Sequence, residues 1–259
     1  MTLRIGIAGI AGRMGRLLAE EVAAAGATLA GGTIRPGAAP DTLPPGLPVL
    51  PDIVALCAAS DVVIDFTHAH AARAHALAAA ETGTPLVLGS SGLSATDEAA
   101  VAAAAQRVPI VYAANFAPGV NLFLAIAERM AAALPGAQYD AEIVEMHHRQ
   151  KVDAPSGTAV ALGRAVAAGR GTTLEEAGRE SGRDGHCGAR GTGTIGFAAL
   201  RGGQVVGEHT LIFAAASEQI SLTHRSFDRR VYATGAVRAA GWVRGRAPGL
   251  YGMRDVLGM

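Results

Sequence analysis

The stretch Leu3-Arg-Ile-Gly-Ile-Ala-Gly9-Ile-Ala-Gly12-Arg-Met-Gly15 decides how the chain is read. A short β-branched run ends in glycines separated by two residues, and residues 16–25 then take up a helical pattern. Strand, glycine turn and helix in that order are the context a dinucleotide fingerprint requires. Glycine lets the backbone approach a pyrophosphate, and the helix start offers unpaired N–H groups with a partial positive charge. The spacing is GxxGxxG rather than GxGxxG, so the turn alone also fits a plain tight connection.

The segments downstream of the turn narrow the choice. Residues 27–33 read as a second strand and 61–67 as a third, with a loop rich in proline and glycine over 35–51 between them. Residues 70–81 form an alanine-rich helix, 85–88 a strand, 94–107 a helix and 108–113 a strand. Strands alternating with helices of about ten residues imply a parallel, doubly wound sheet. Ligands in such sheets sit at the carboxyl ends of the strands. Here those ends carry small or polar residues: Gly9, Thr67, Gly89-Ser90-Ser91-Gly92 and Asn115. The first half is therefore a Rossmann-type platform, with Gly9, Ile10, Ala11, Gly12, Arg13 and Met14 expected against a dinucleotide. The second strand runs out into Gly32-Thr-Ile-Arg35, with no carboxylate for a ribose 2′-OH before Asp41. Arg35 suits a 2′-phosphate, so NADPH is favoured and NADH is left open as the second cofactor.

The alternation ends at Asn115. Residues 119–134 read as a helix, 139–147 as a strand and 156–168 as a helix, and a charged, glycine-rich loop covers 178–193. Three strand-like runs, 193–200, 204–214 and 219–224, are joined by links short enough for antiparallel hairpins. A helix over 229–244 and a tail complete the chain. The fold class is α/β: an N-terminal Rossmann-type parallel sheet with a second, α+β domain containing a mixed or antiparallel sheet.

Between those sheets lies Glu145-Met-His147-His148-Arg-Gln-Lys151-Val-Asp153-Ala-Pro-Ser-Gly157-Thr158. It gathers two histidines, the only lysine of the chain and a Ser-Gly-Thr helix start within fourteen residues. The 259 residues carry zero formal net charge and are half hydrophobic, so no excess of Lys and Arg points to nucleic acid. Two distant cysteines, without CxxC spacing, fit a reduced compartment and no zinc site. No apolar run reaches the length of a membrane span or a secretory signal, and a cytoplasmic location is expected. His68, His70 and His75 read as surface residues at a helix head rather than a metal site. His209 and His224 read as core or interface histidines.

The run from Glu145 to Thr158 resembles the signature of the dihydrodipicolinate reductase family, also called 4-hydroxy-tetrahydrodipicolinate reductases. The likeness extends in order through residues 9–15, Asp65-Phe-Thr67, Ala113-Ala114-Asn115-Phe116, Gly193-Thr-Ile-Gly-Phe197, Gly207-Glu-His209 and Met253-Arg-Asp-Val-Leu257. The resemblance implies a reductase of the diaminopimelate route to lysine. It places a dinucleotide-binding domain at 1–117, completed by 228–259, and a substrate and oligomerisation domain at 118–227. The family's members are typically homotetramers joined through the second sheet. The implied substrate is a cyclic dicarboxylate, reduced to tetrahydrodipicolinate with NAD(P)H.

Matched residue by residue, His147 stands at the family's proton donor and Lys151 at the second donor. His148 would contact one substrate carboxylate, and Gly157 with Thr158 the other, through N–H groups at the helix start. Gly89, Ser90 and Ser91 stand where the family often has Gly-Thr-Thr, and the serines keep the hydroxyls. Ile34 stands where many members carry an acid, which disfavours NADH. Two rivals stay open: another two-domain amino-acid dehydrogenase of aspartate or homoserine type, and a non-catalytic NAD(P)-sensing protein.

Overall fold

The structure is a computed structural model that describes residues 2–35, 37, 43 and 46–259. Much of the loop expected over 35–51 lies outside the described residues, Asp41 with it. By internal contacts the chain divides into one unit of Met1–Pro118 with Arg230–Met259 and another of Gly119–Arg229.

The first unit is built on six parallel strands. β1 (Arg4–Ala8), α1 (Arg13–Ala24), β2 (Thr28–Gly32), α2 (Ile53–Ala59), β3 (Val62–Asp65), α3 (Ala69–Thr82), β4 (Leu86–Leu88), α4 (Ala95–Ala104) and β5 (Pro109–Tyr112) come in that order. The sheet runs β11-β5-β4-β3-β1-β2, where β11 is Gly249–Tyr251 from the C-terminal segment, paired parallel with β5. Strand order therefore reverses between β1 and β3, the switch point at which such sheets open a crevice. Helices cover both faces, so β3 and β4 are buried at every position, as a sandwiched parallel sheet demands. One face packs Ile5, Ile7, Leu18 and Val22 with Ala236 and Val243 of α8 (Arg230–Val243) and with Met253 and Val256 of α9 (Met253–Leu257). The other packs Val63, Leu86, Leu88 and Ile110 under the alanines of α3 and α4.

The second unit holds α5 (Pro118–Ala133, all but its first residue), β6 (Asp140–His147), α6 (Gly157–Gly169), α7 (Leu174–Ala177), β7 (Arg179–Ser181), β8 (Ile195–Arg201), β9 (Gly207–Ala214) and β10 (Gln219–Ser226). Its sheet runs β10-β9-β6-β8-β7, with β6 antiparallel to β9 and parallel to β8. β6 and β9 alternate strictly between buried and half-buried residues. The buried faces join Phe123 of α5 and Leu162 of α6 in one core with Ile143, Phe197, Leu211 and Phe213.

Four expectations need correction. The link at Arg201-Gly-Gly203 is no hairpin, because β6 lies between β8 and β9. The chain instead crosses the end of β6, where Gly202 donates to the His147 carbonyl and Arg149 donates to that of Gly203. The 178–193 loop contains β7 and is pinned by Arg190, whose guanidinium donates to Glu142, Asp140 and the carbonyls of Ala141 and Thr194. The third strand stops at Asp65 rather than Thr67, because the Asp65 carboxylate accepts the Thr67 N–H and turns the chain. His75 is no surface residue: its Nδ1 lies 2.6 Å from the fully buried Asp65 carboxylate, whereas His68 and His70 are exposed. Among the described residues no helix is long and apolar enough to cross a membrane, and no group of His, Cys, Asp and Glu is placed to hold a metal ion.

Candidate active site

In the first unit the glycine turn forms one wall of a cleft of ≈ 740 Å³. Gly9 takes φ +71°, which a side chain would strain, and its carbonyl accepts the Gly12 N–H at 2.9 Å. The first bond inside α1 runs from Arg16 N to Gly12 O, and Gly12 caps the helix without a side chain. Arg13, Met14 and Gly15 form the first turn of α1, whose N–H groups lack intrahelical partners, and all three line the cleft. Arg13, Arg35, Thr67 and His75 line the same cleft, while the Ile10 side chain is fully buried in the core and offers only backbone.

Gly89, Ser90 and Ser91 come after β4, and Ala113, Ala114, Asn115 and Phe116 after the adjacent β5; none of them lines that cleft. Gly89 is held against the Phe66 ring, where any Cβ would lie 2.4 Å from ring carbon, and Phe66 packs on Phe116 at 5.3 Å. Asn115 Oδ1 accepts the Ala117 N–H. Ser90 is buried and its hydroxyl has no partner among the described residues, the kind of buried polar atom that a ligand or water completes. A pyrophosphate at the start of α1 and a polar group at Ser90 fit this chemistry, so the residues suit a nicotinamide dinucleotide.

In the second unit β6 turns two of its polar residues, Glu145 and His147, inward. Period-two alternation puts Glu145 and His147 on the same face as Ala141 and Ile143, in the core. A buried carboxylate is costly unless paired, and Glu145 is paired on every side. Its Oε2 lies 2.6 Å from His147 Nδ1, its Oε1 accepts the Ser156 N–H at 3.0 Å, and Arg201 forks onto both oxygens at 2.8 Å. Arg201 also donates to the Asp153 carbonyl, tying the 148–155 loop to the end of β8. Burial alone would raise the Glu145 carboxyl; the Arg201, His147 and Ser156 donors outweigh it and hold the group below its ordinary value.

His147 is pushed down from 6.5, mainly by burial, against the pull of Glu145 and with help from Lys151 and Arg201. A carboxylate only accepts, so the ring nitrogen beside it carries the proton and Nε2 is the edge left for chemistry. Gly207, in the neighbouring strand, leaves room there: a Cβ at that position would lie 3.0 Å from Nε2. His209 packs edge-on against His147 at 5.1 Å and meets the Ser156 hydroxyl through Nε2. Burial lowers it to about 4, so it is neutral at physiological pH.

Ser156 caps α6 by accepting the Ala159 N–H, which presents Gly157 and Thr158 as the first helical residues. Gly157 has open space where a side chain would be. Lys151, a fifth exposed, pairs with Asp153 at 2.8 Å and holds that carboxyl below its usual range, with the Gly157 amide contributing. His148 is half-buried, and its Nδ1 is buried without a partner among the described residues. The loop therefore gathers His147, His148, Lys151, Gly157 and Thr158 around one polar end of the sheet. Arg201 and His209 belong there too. Arg201 is hidden in a segment that reads as a turn. His209 looks like core, because only the register that sets it opposite Glu145 brings it to the site.

Comparison with known proteins respects the same division. Residues 3–116 match the sequence model of "Dihydrodipicolinate reductase, N-terminus" and residues 119–257 that of "Dihydrodipicolinate reductase, C-terminus". The chain is 66 % identical over 258 residues to the 4-hydroxy-tetrahydrodipicolinate reductase of Granulibacter bethesdensis, covering 100 % of this chain and 98 % of that one. It is 61 % identical over 257 residues to the enzyme of that name from Gluconacetobacter diazotrophicus, covering 99 % and 98 %. In fold it is similar to the dipicolinate-bound dihydrodipicolinate reductase of Paenisporosarcina sp. TG-14, with TM-score 0.81, 24 % identity and coverage of 98 % and 99 %. With both halves matched in order and the relatives aligned end to end, the chain belongs to the dihydrodipicolinate reductase family.

Proposed function

We propose that the chain reduces 4-hydroxy-tetrahydrodipicolinate, or its dehydrated form, to tetrahydrodipicolinate, with His147 and Lys151 as proton donors. The observation that carries the reading is the buried Glu145–His147 pair set beside the Ser156-capped start of α6 and a lysine. A bound dihydronicotinamide supplies the hydride. Gly157 and Thr158 hold one ring carboxylate by backbone N–H, and His148 meets the other. Two carboxylates beside His147 raise its affinity for a proton, countering its burial, so the imidazolium forms where it is needed. Nε2 then delivers that proton to the atom on which negative charge develops. Lys151 leaves Asp153 to steady the anion. Where the 4-hydroxy form enters, it protonates the departing 4-hydroxyl while the neighbouring C3 proton is lost to solvent, so that water leaves and the unsaturated ring that takes the hydride forms. Coupling the purified protein to a synthase that makes the substrate, and monitoring NADPH oxidation, tests the reading. Absence of turnover with either cofactor would sink it.

NADPH is the favoured cofactor within a family that uses NAD(P)H. Arg35 stands exposed beside the cleft and no described carboxylate lines it, which suits a 2′-phosphate better than a bare ribose. Arg35→Ala should raise the KM for NADPH about ten- to a hundredfold, the worth of one charge-assisted bond, and leave the KM for NADH within about twofold. Equal effects on both would remove the 2′-phosphate role.

A homotetramer is supported by the outer face of the second sheet. Val144, Met146, Ala198, Leu200 and Ile212 point away from the core there, and Leu200 is half exposed. Light scattering should return about four times the 26.1 kDa of one chain. A single-chain mass at micromolar concentration would refute it.

A further inference from the structure

We infer that Glu145 and Arg201 act as a positioning pair, which fixes the proton-bearing edge of His147 and seats the start of α6 from a single carboxylate. The inference rests on His147 being the donor, as proposed above, and adds Arg201 from a strand outside the signature run. Glu145 is 1 % exposed and both its oxygens are taken by protein donors, so it serves no substrate directly. Its two oxygens take four donors: His147 Nδ1, the Ser156 amide and both Nη atoms of Arg201. Each donor fixes a different part of the site. The first sets the tautomer, the second sets where the amides of Gly157 and Thr158 lie, and the third sets the height of the 148–155 loop through the Asp153 carbonyl.

The pair also explains why the carboxylate must be forked. Alone, a buried carboxylate 2.6 Å from an imidazole would hold the imidazolium permanently and spoil it as a donor. The guanidinium offsets part of that pull, as Lys151 does, while leaving the hydrogen bond that orients the ring. The charged and titratable groups facing His147 are Glu145 from its own strand, Lys151 from the adjoining loop, Arg201 from β8 and His209 from β9. Asp153 is paired with Lys151, and His224 of β10 lies beyond His209, opposite it in register.

The two partners have opposite consequences. Glu145→Gln removes the anion and leaves the cation, so the alkaline limb of the kcat/KM profile moves to lower pH. Arg201→Met frees the carboxylate, so that limb moves to higher pH. Each shift should be about one pH unit, and each variant should lose kcat by on the order of 10²-fold, the lower part of what a positioned acid contributes. Arg201→Lys keeps the charge and should leave the limb near its wild-type pH. A merely structural pair would lower activity without moving the two limbs in opposite directions. The NADPH dissociation constant and the thermal midpoint serve as folding controls.

Should a variant not fold, the wild-type protein still decides. The ¹⁵N shifts of the neutral His147 ring should show the Nδ1–H tautomer. The Nε2–H tautomer, or limbs that move together or stay fixed, overturns the positioning role. Wild-type protein with the Nδ1–H tautomer but no reductase activity would instead leave the pair standing and overturn the proposed reaction.

Discussion

His147→Gln should cut kcat by about 10²–10⁴-fold, the range that a positioned general acid contributes, and leave the NADPH dissociation constant within about twofold of wild type. Glutamine fills much of the same volume and can donate to Glu145 through its amide, so the buried carboxylate keeps its partner and the site does not collapse. It has no proton to give up at neutral pH, and that is the property under test. A drop in kcat with KM nearly constant would mark an interaction made only in the transition state. The alkaline limb should also vanish from the residual rate. In the wild type, that rate falls as pH rises through the His147 pKa, because only the protonated ring donates. Burial places that pKa below 6.5 in the free protein, so the limb in kcat/KM should lie at lower pH than the limb in kcat, where the bound dicarboxylate favours the imidazolium. Lost NADPH affinity would mean that His147 serves the cofactor, and unchanged turnover would mean that the proton comes from elsewhere.

Much of the fold and the site is legible in the sequence because it is local. The glycine turn after β1 and the alternation of strands and helices are set by side chains within a few residues of one another, so the parallel sheet can be read directly. The inward placement of Glu145 and His147 is equally legible, since period two puts them on the face of Ala141 and Ile143. The features that escape such a reading depend on contacts far apart in sequence. Arg201 lies 56 residues from Glu145, in a segment whose Arg-Gly-Gly spelling reads as a turn. Only the insertion of β6 between β8 and β9 carries it across the strand end. His209 differs from an ordinary core histidine only through its register opposite Glu145 and its bond to Ser156. His75 escapes for a similar reason: its partner Asp65 ends a strand, while His75 sits two turns into a helix whose pattern is almost all alanine. The short α2, α7 and β7 carry too few residues for any period to show.

Gly15→Ala should weaken dinucleotide binding about a hundredfold or more, for a reason that propensity alone would miss. Alanine in a helix interior is favoured over glycine by about 1 kcal/mol, so α1 by itself would gain. Gly15, however, lies over the turn: a Cβ there would stand 2.4 Å from the Gly9 carbonyl oxygen and 2.6 Å from Ile10 Cα. Both neighbours are backbone, and that backbone is held by Ile10 N donating to Thr33 O and Gly12 N donating to Gly9 O. No side-chain rotation can relieve the contact, so α1 must move off β1 or the turn must open. Overpacking of this kind costs about 1–3 kcal/mol, which exceeds the gain in propensity and should lower Tm by a few degrees. The loss of binding should be larger than the loss of stability. The amides of Arg13, Met14 and Gly15 can hold an anion only while they converge, and losing two hydrogen bonds to a charged group costs about 3–6 kcal/mol, a hundredfold or more in affinity. Gly241→Ala supplies the contrast: it makes the same change in α8, where, among the described residues and apart from the helix's own backbone, nothing lies within 4 Å of the added Cβ, and should raise Tm with NADPH affinity unchanged. If both variants bind NADPH as tightly as the wild type, the start of α1 is not the phosphate site, and the reading of Gly9 to Gly15 falls with it.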